Sequence, residues 1–172
     1  MNLKLILPTE EYREQWYDII NEIESEKEKI TPLALKAEIT DYDLYLKKVK
    51  NNSLGLNLDE GIVPSDIFFL VKEDDMRILG SIDIRYGLTD YLLKFGGNIG
   101  YGIRPSERMK GYATEMLRLV LNICANKGFK KVLITCYKSN IGSAKTIIKN
   151  GGILENEVIE NGEIKQRYWI SL

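Results

Sequence analysis

Residues 108 to 113 read Arg108-Met109-Lys110-Gly111-Tyr112-Ala113, and the reading of this run decides the fold. An apolar stretch with strand character comes before it (Ile99, Tyr101, Ile103), followed by a turn at Pro105. After it, Met116, Leu117, Val120 and Leu121 recur at helical spacing. A strand, a tight turn and a helix start leave the first helical N–H groups without partners, facing whatever anion lies ahead of them. Gly111 lets the backbone approach closely and Ala113 keeps the next position small. Arg104, Arg108 and Lys110 add positive charge nearby. The run reads as a cradle for a pyrophosphate.

Working outward from this run, the pattern gives an ordered series of elements. Leu3 to Leu7 reads as a first strand. Thr9 is placed to cap a helix from about Glu10 to Glu26, whose Tyr12, Trp16, Ile19, Ile20 and Ile23 share a face. A second helix fits Asp41 to Lys50, with Tyr42, Tyr45, Leu46 and Val49 as its stripe, and Asn51 to Pro64 reads as a loop. Asp66 to Lys72 and Arg77 to Arg85 flank Asp74-Asp75 and form an antiparallel hairpin. Asn98 to Ile103 is the next strand, and the helix after the signature run reaches about Asn126, where Lys127-Gly128 ends it. Lys131 to Cys136 is an apolar strand, and Ser139-Asn140 opens a helix that Gly151-Gly152 closes. A last hairpin, Ile153 to Glu160 and Glu163 to Ile170, turns at Asn161-Gly162. The fold class is α+β: a single mixed, mostly antiparallel central sheet flanked by about four helices, with 1–172 as one domain.

Composition removes several function classes. The 172 residues are 44% hydrophobic and 28% charged, the balance of a globular domain with room for a core. A net charge of -1 gives no bulk argument for nucleic acid or a membrane surface, and no apolar run approaches a spanning helix. The N-terminal apolar run is short and broken by Pro8, unlike a signal peptide. Cys124 and Cys136 lack metal-ligand spacing and read as buried, reduced thiols of a cytoplasmic protein. Histidine is absent, which removes the Ser-His-acid triads and the common zinc sites, so no metal is expected.

The order of these elements resembles the GNAT superfamily of N-acetyltransferases over nearly the whole length, closest to a bacterial branch of predicted acetyltransferases. Arg108-x-x-Gly111-x-Ala113 matches that family's acetyl-coenzyme A signature, Gln/Arg-x-x-Gly-x-Gly/Ala. Asn140, with Ser143-Ala144 and Gly151-Gly152, resembles its second motif. The resemblance implies acetyl-coenzyme A as co-substrate, its pyrophosphate on the amides of Arg108, Met109, Lys110, Gly111, Tyr112, Ala113 and Thr114. It also implies that the pantetheine arm lies along the strand of Tyr101 and Ile103, where that strand splays from Lys131–Cys136. Asn140 and Ser143 would meet the pantetheine region, although Asn140 also suits a helix cap. A backbone N–H near Ile103 would polarise the thioester carbonyl, worth roughly 3 kcal/mol in comparable sites.

The reaction so implied is direct attack of a neutral amine, from a small molecule or a protein, in a ternary complex. Many members carry a general-acid tyrosine in the last helix, four residues before the glycine that ends it. That position is Ile147 here. Tyr137, or else water, is the substitute expected as acid, and Asp83 the expected base, acting through water, unless it pairs with Arg85 or another cation. Other readings remain at this point. The domain could bind acyl-coenzyme A without turnover, as a sensor. A nucleotide-binding protein of another kind is disfavoured by the missing Walker Lys-Ser/Thr and third Rossmann glycine. The final hairpin, with Tyr168, Trp169 and Ile170, could support a homodimer.

Overall fold

The structure is a computed structural model and describes residues 2–172. Seven strands and four α-helices follow in the expected order: β1 (Leu3–Ile6), α1 (Arg13–Ser25), α2 (Tyr42–Leu54), β2 (Ser65–Lys72), β3 (Ile78–Arg85), β4 (Ile99–Ile103), α3 (Tyr112–Asn126), β5 (Lys131–Tyr137), α4 (Ile141–Lys149), β6 (Ile153–Glu160) and β7 (Glu163–Ser171). Short 3-10 turns precede α1 and α3, and a π-helical turn spans Leu92–Gly96. Every ladder is antiparallel, and the hydrogen bonding divides the sheet into two parts, β1-β2-β3-β4 and β5-β7-β6.

Among the described residues, the backbone hydrogen bonding between the two parts lies at one end of β4. The Asn98 N–H bonds Leu133 O at 2.7 Å, and the Leu133 N–H bonds Asn98 Oδ1 at 2.9 Å. Gly97 bridges Ile134 there, and a Cβ on it would sit 2.5 Å from Leu133 O, so this approach requires glycine. Toward Ile103 the ladder is not continued. A split between two central strands is therefore built in, opening on the side where β4 runs into the signature turn.

Both faces of the sheet are covered, which explains the unbroken apolar run in β2. Phe68 and Leu70 pack with Ile82, Ile84 and Ile99 under α3 and α4, while Ile67, Phe69 and Val71 pack with Trp16, Tyr42 and Tyr45 under α1 and α2. Alternate residues of a strand thus reach two separate cores. Local expectations needed three adjustments. Thr9 makes no side-chain cap, since a 3-10 turn intervenes before α1. Helix α2 runs on past Lys50 to Leu54, because the left-handed stop is Gly55 (φ 67°), not the asparagines before it. Tyr168 and Ile170 are buried in this chain's own core, which leaves Trp169 as the half-exposed aromatic of the last strand.

Candidate active site

The turn between β4 and α3 has the backbone its sequence implies. Met109 (φ 62°) and Gly111 (φ 83°) both adopt left-handed conformations, turning successive N–H groups toward one concavity. Among the described residues, the amides from Met109 to Thr114 donate to no protein acceptor; the next one, Glu115 N–H, bonds Gly111 O at 3.3 Å. No atom lies within 4 Å of an ideal Cβ on Gly111, so the concavity is open above it. Six adjacent unpaired donors at the N-terminus of a 15-residue helix make an anion site.

A cleft of about 630 Å³ opens over this turn. Tyr101 and Ile103 of β4 line it, with Arg108, Met109, Gly111, Tyr112, Ala113 and Thr114 of the turn and Asn140 and Ser143 of α4. Ten of the expected cofactor residues thus come together. Lys110 stays outside the lining, its Nζ bonded to Glu107 at 2.8 Å. The opposite wall is the loop after α1: Glu28, Lys29 and Thr31 face the cleft, and Thr31 O is so near β4 that a Cβ on Gly102 would fall 2.0 Å from it.

The cations are distributed differently from the expectation. Arg104 is 1% exposed and turned away from the cleft; Asp18 and Glu22 bind its guanidinium, and Ile78 O accepts from it at 3.2 Å. Its charge serves to fix α1 against the turn. Arg108 lines the cleft, yet its guanidinium is paired with both oxygens of Glu28 at 2.7 and 2.6 Å. That hydrogen bonding holds the Glu28 carboxyl below its ordinary pKa. Two cations not singled out from the sequence, Lys145 and Lys149, face the cleft from α4. Their spacing of four on one helix, beside Asn140, was the available signal.

Asn140 both caps and lines: its Oδ1 accepts the Ser143 N–H at 3.0 Å while the residue faces the cleft. Tyr101 reaches across to the same helix end, Oη 2.8 Å from Ser143 Oγ, and burial pushes its hydroxyl up to about 12. Ile147 is fully buried in the apolar core.

The two residues expected to move protons lie outside the cleft lining. Asp83 is 2% exposed behind β4, paired with Arg85 Nε at 2.9 Å. Burial raises its pKa, against the lowering by Arg85, and its Oδ1 would be 2.7 Å from a Cβ on Gly100. Tyr137 Oη donates to Glu160 at 3.2 Å, within a cluster that joins Tyr91 and Lys165 to the same carboxylate. Burial and then Glu160 raise the Tyr137 hydroxyl.

Residues 3–153 match the family model described as an acetyltransferase (GNAT) domain. The chain is similar to the uncharacterized N-acetyltransferase YjdG of Bacillus subtilis (strain 168), 28% identical over 127 residues. That match covers 71% of this chain and 64% of YjdG, less than two thirds of the relative's length. In fold it resembles the Microcin C7 self immunity acetyltransferase MccE, solved with acetyl-CoA and AMP, at TM-score 0.68 and 20% identity over 99% of this chain and 93% of that one. It also resembles RimL, the ribosomal L7/L12 alpha-N-protein acetyltransferase solved with coenzyme A, at TM-score 0.71 and 16% identity over 100% and 95%. With the family model spanning most of its length, over a split sheet and a cradle of free amides, the chain belongs to the GNAT acetyltransferase superfamily.

Proposed function

We propose that this chain transfers an acetyl group from acetyl-coenzyme A to a primary amine, of a small molecule or a protein, by direct attack in a ternary complex held in this cleft. The observation that carries the reading is the row of unpaired amides from Met109 to Thr114 in a cleft that Tyr101, Gly102 and Ile103 of β4 also line. A diphosphate satisfies those donors without any side chain moving into the concavity. Lys145 and Lys149 add charge to the same cavity, and Asn140 offers a side-chain amide to the carrier's amide groups.

The acetyl carrier supplies the activated acyl group; the chain's residues place and polarise it. Beyond Asn98 the edge of β4 has no partner from β5, so its backbone is available to an extended arm. The N–H near Ile103 is then the donor that meets the thioester oxygen. An alkylamine must lose its proton before it attacks. Asp83 pairs with Gly100 in the β3–β4 ladder, three residues before Ile103, and would accept the proton through water. Its raised pKa suits a base better than an ordinary carboxylate's would. The reduced, buried Cys124 and Cys136 fit a cytoplasmic enzyme.

The test is thiol release from acetyl-coenzyme A across a panel of amines that includes polyamines, amino sugars and peptides with free N-termini. Turnover on at least one acceptor is expected. Tight binding with no turnover on any acceptor would favour a sensor instead, and no binding would remove the reading. In the active pair, Asp83→Asn should lower kcat by roughly 10²-fold and move the acid limb of the pH–rate profile. An unchanged profile would leave Asp83 as the structural partner of Arg85.

A further inference from the structure

Breaking a thioester leaves negative charge on sulfur, and the position where many family members place a hydroxyl is Ile147 in this chain, buried among apolar side chains. A different hydroxyl is fixed in the cleft wall. Tyr101 stands on β4 two residues before Ile103, on the face that looks toward α4. Its Oη lies 2.8 Å from Ser143 Oγ and 3.3 Å from Ser143 O. The Ser143 backbone N–H donates to Asn140 Oδ1 at 3.0 Å, which fixes the first turn of α4 beneath that hydroxyl. Tyr101 and Ile103 line the same cleft two residues apart on β4, so a sulfur bonded to a carbonyl carbon held at Ile103 lies beside this stretch of strand. We propose that the Tyr101 hydroxyl meets the carrier's sulfur as the C–S bond breaks and donates a hydrogen bond to the departing thiolate, with Ser143 Oγ donating to Tyr101 Oη in turn. This rests on the reading of the cleft given above.

The step balances without a further reactant. The amine nitrogen forms the N–C bond, the carbonyl electrons return, and the C–S pair leaves on sulfur. The proton shed by the amine passes to base and solvent, and the thiolate is reprotonated from solvent after release. Tyr101 keeps its own proton. With its hydroxyl at about 12, and a thiol near ~8.5, full transfer to sulfur runs uphill while the hydrogen bond remains favourable. Cys136 of β5 packs beside the ring and its own thiol is raised by burial, so it brings no competing charge. The charged groups sharing the cleft are Lys145 and Lys149 from α4, Glu107 and Arg108 from the turn, and Glu28 and Lys29 from the facing wall.

A fixed donor at sulfur makes the bound thiol more acidic than the free one. The affinity for coenzyme A should therefore rise with pH up to the free thiol's own pKa, while that for desulfo-coenzyme A should not. Calorimetry of both ligands against pH, on the whole protein, reads this directly. In Tyr101→Phe, which keeps the ring, the excess pH dependence for coenzyme A should vanish. The kcat of the same variant should drop roughly 10²-fold with little change in KM for acetyl-coenzyme A. Ser143→Ala should keep part of the pH dependence. Equal curves for wild type and Tyr101→Phe would overturn the proposal, as would a loss confined to Ser143→Ala. If neither ligand binds at any pH, the assignment of the cleft fails, and this proposal with it.

Discussion

Arg104 to Arg108 and Met109 to Thr114 form one continuous turn, yet the two halves treat their polar groups in opposite ways. In the first half almost everything is satisfied internally. Arg104 is closed in by Asp18, Glu22 and Ile78 O, the Ser106 N–H donates to Glu22 at 2.8 Å, and Glu107 holds both Arg77 and Lys110. In the second half six amides have no acceptor among the described residues; Met109 is turned fully out, Gly111 and Ala113 are small, and Tyr112 points into the core. The first half is anchored so that the second can stay vacant for a ligand. Free donors hold a useful geometry only where the backbone on one side of them is fixed by something else.

The largest effect is expected from filling the vacant half. Gly111→Glu places a stem and a carboxylate in the concavity, and since nothing lies near its Cβ the protein should still fold, at a strain cost of about 1–2 kcal/mol for the left-handed backbone. Acetyl-coenzyme A affinity should fall beyond calorimetric detection while the circular dichroism spectrum is retained. Unchanged affinity would erase the distinction between the two halves.

Breaking the anchored half should cost stability first. Glu22→Ala leaves a buried guanidinium short of one partner, a loss of about 3 kcal/mol in urea unfolding. Burial alone would raise the Glu22 carboxyl, but hydrogen bonds from Arg104 and Ser106 bring it down to about 2. A depressed carboxylate stabilises the fold above its unfolded pKa, near 4.5, and that contribution should fade as pH falls from there toward 2. The acid-unfolding curve of Glu22→Gln should lack this segment. A curve identical to that of the unmodified protein would mean that the pair does not anchor the turn.

The smallest effect concerns the contact that joins the two regions across the cleft. Glu28 pairs with Arg108 at the cleft wall, and both side chains are more than a third exposed, so the pair contributes little to stability. Its charge, however, faces an anion site. Glu28→Gln should tighten coenzyme A binding a few-fold and steepen its salt dependence, because Arg108 becomes free to meet phosphate. Weaker binding in this variant would mean that Glu28 orders the site instead.

The vacant half was legible in the sequence because its cause is local. A glycine that permits a left-handed turn, a preceding proline and a helical repeat all lie between Pro105 and Leu121, and the structure needs little more. The anchored half was not. The expectation that Arg104 belongs to the anion site failed because its partners, Asp18 and Glu22, are more than 80 residues away and sit on another helix, where no spacing rule reaches. Lys145 and Lys149 went unnoticed for a related reason: only the docking of α4 decides which face of that helix sees the cleft. The strands were readable one by one, whereas the split between β4 and β5 depends on Asn98 and Gly97 pairing with Leu133 and Ile134, a non-local contact. Asp83 and Arg85 stand two apart on one strand and so share a face, which made their pairing one of the open readings, and the structure shows it at 2.9 Å.

The central claim is that the amides after Arg108, and not those before it, grip the diphosphate. Backbone amide NMR of the labelled protein titrated with coenzyme A tests it most directly. The signals of Met109 to Thr114 should shift strongly and become protected from exchange, while Ser106 and Glu107 barely move. Large shifts elsewhere, with the Met109 to Thr114 amides unaffected at saturation, would contradict the account.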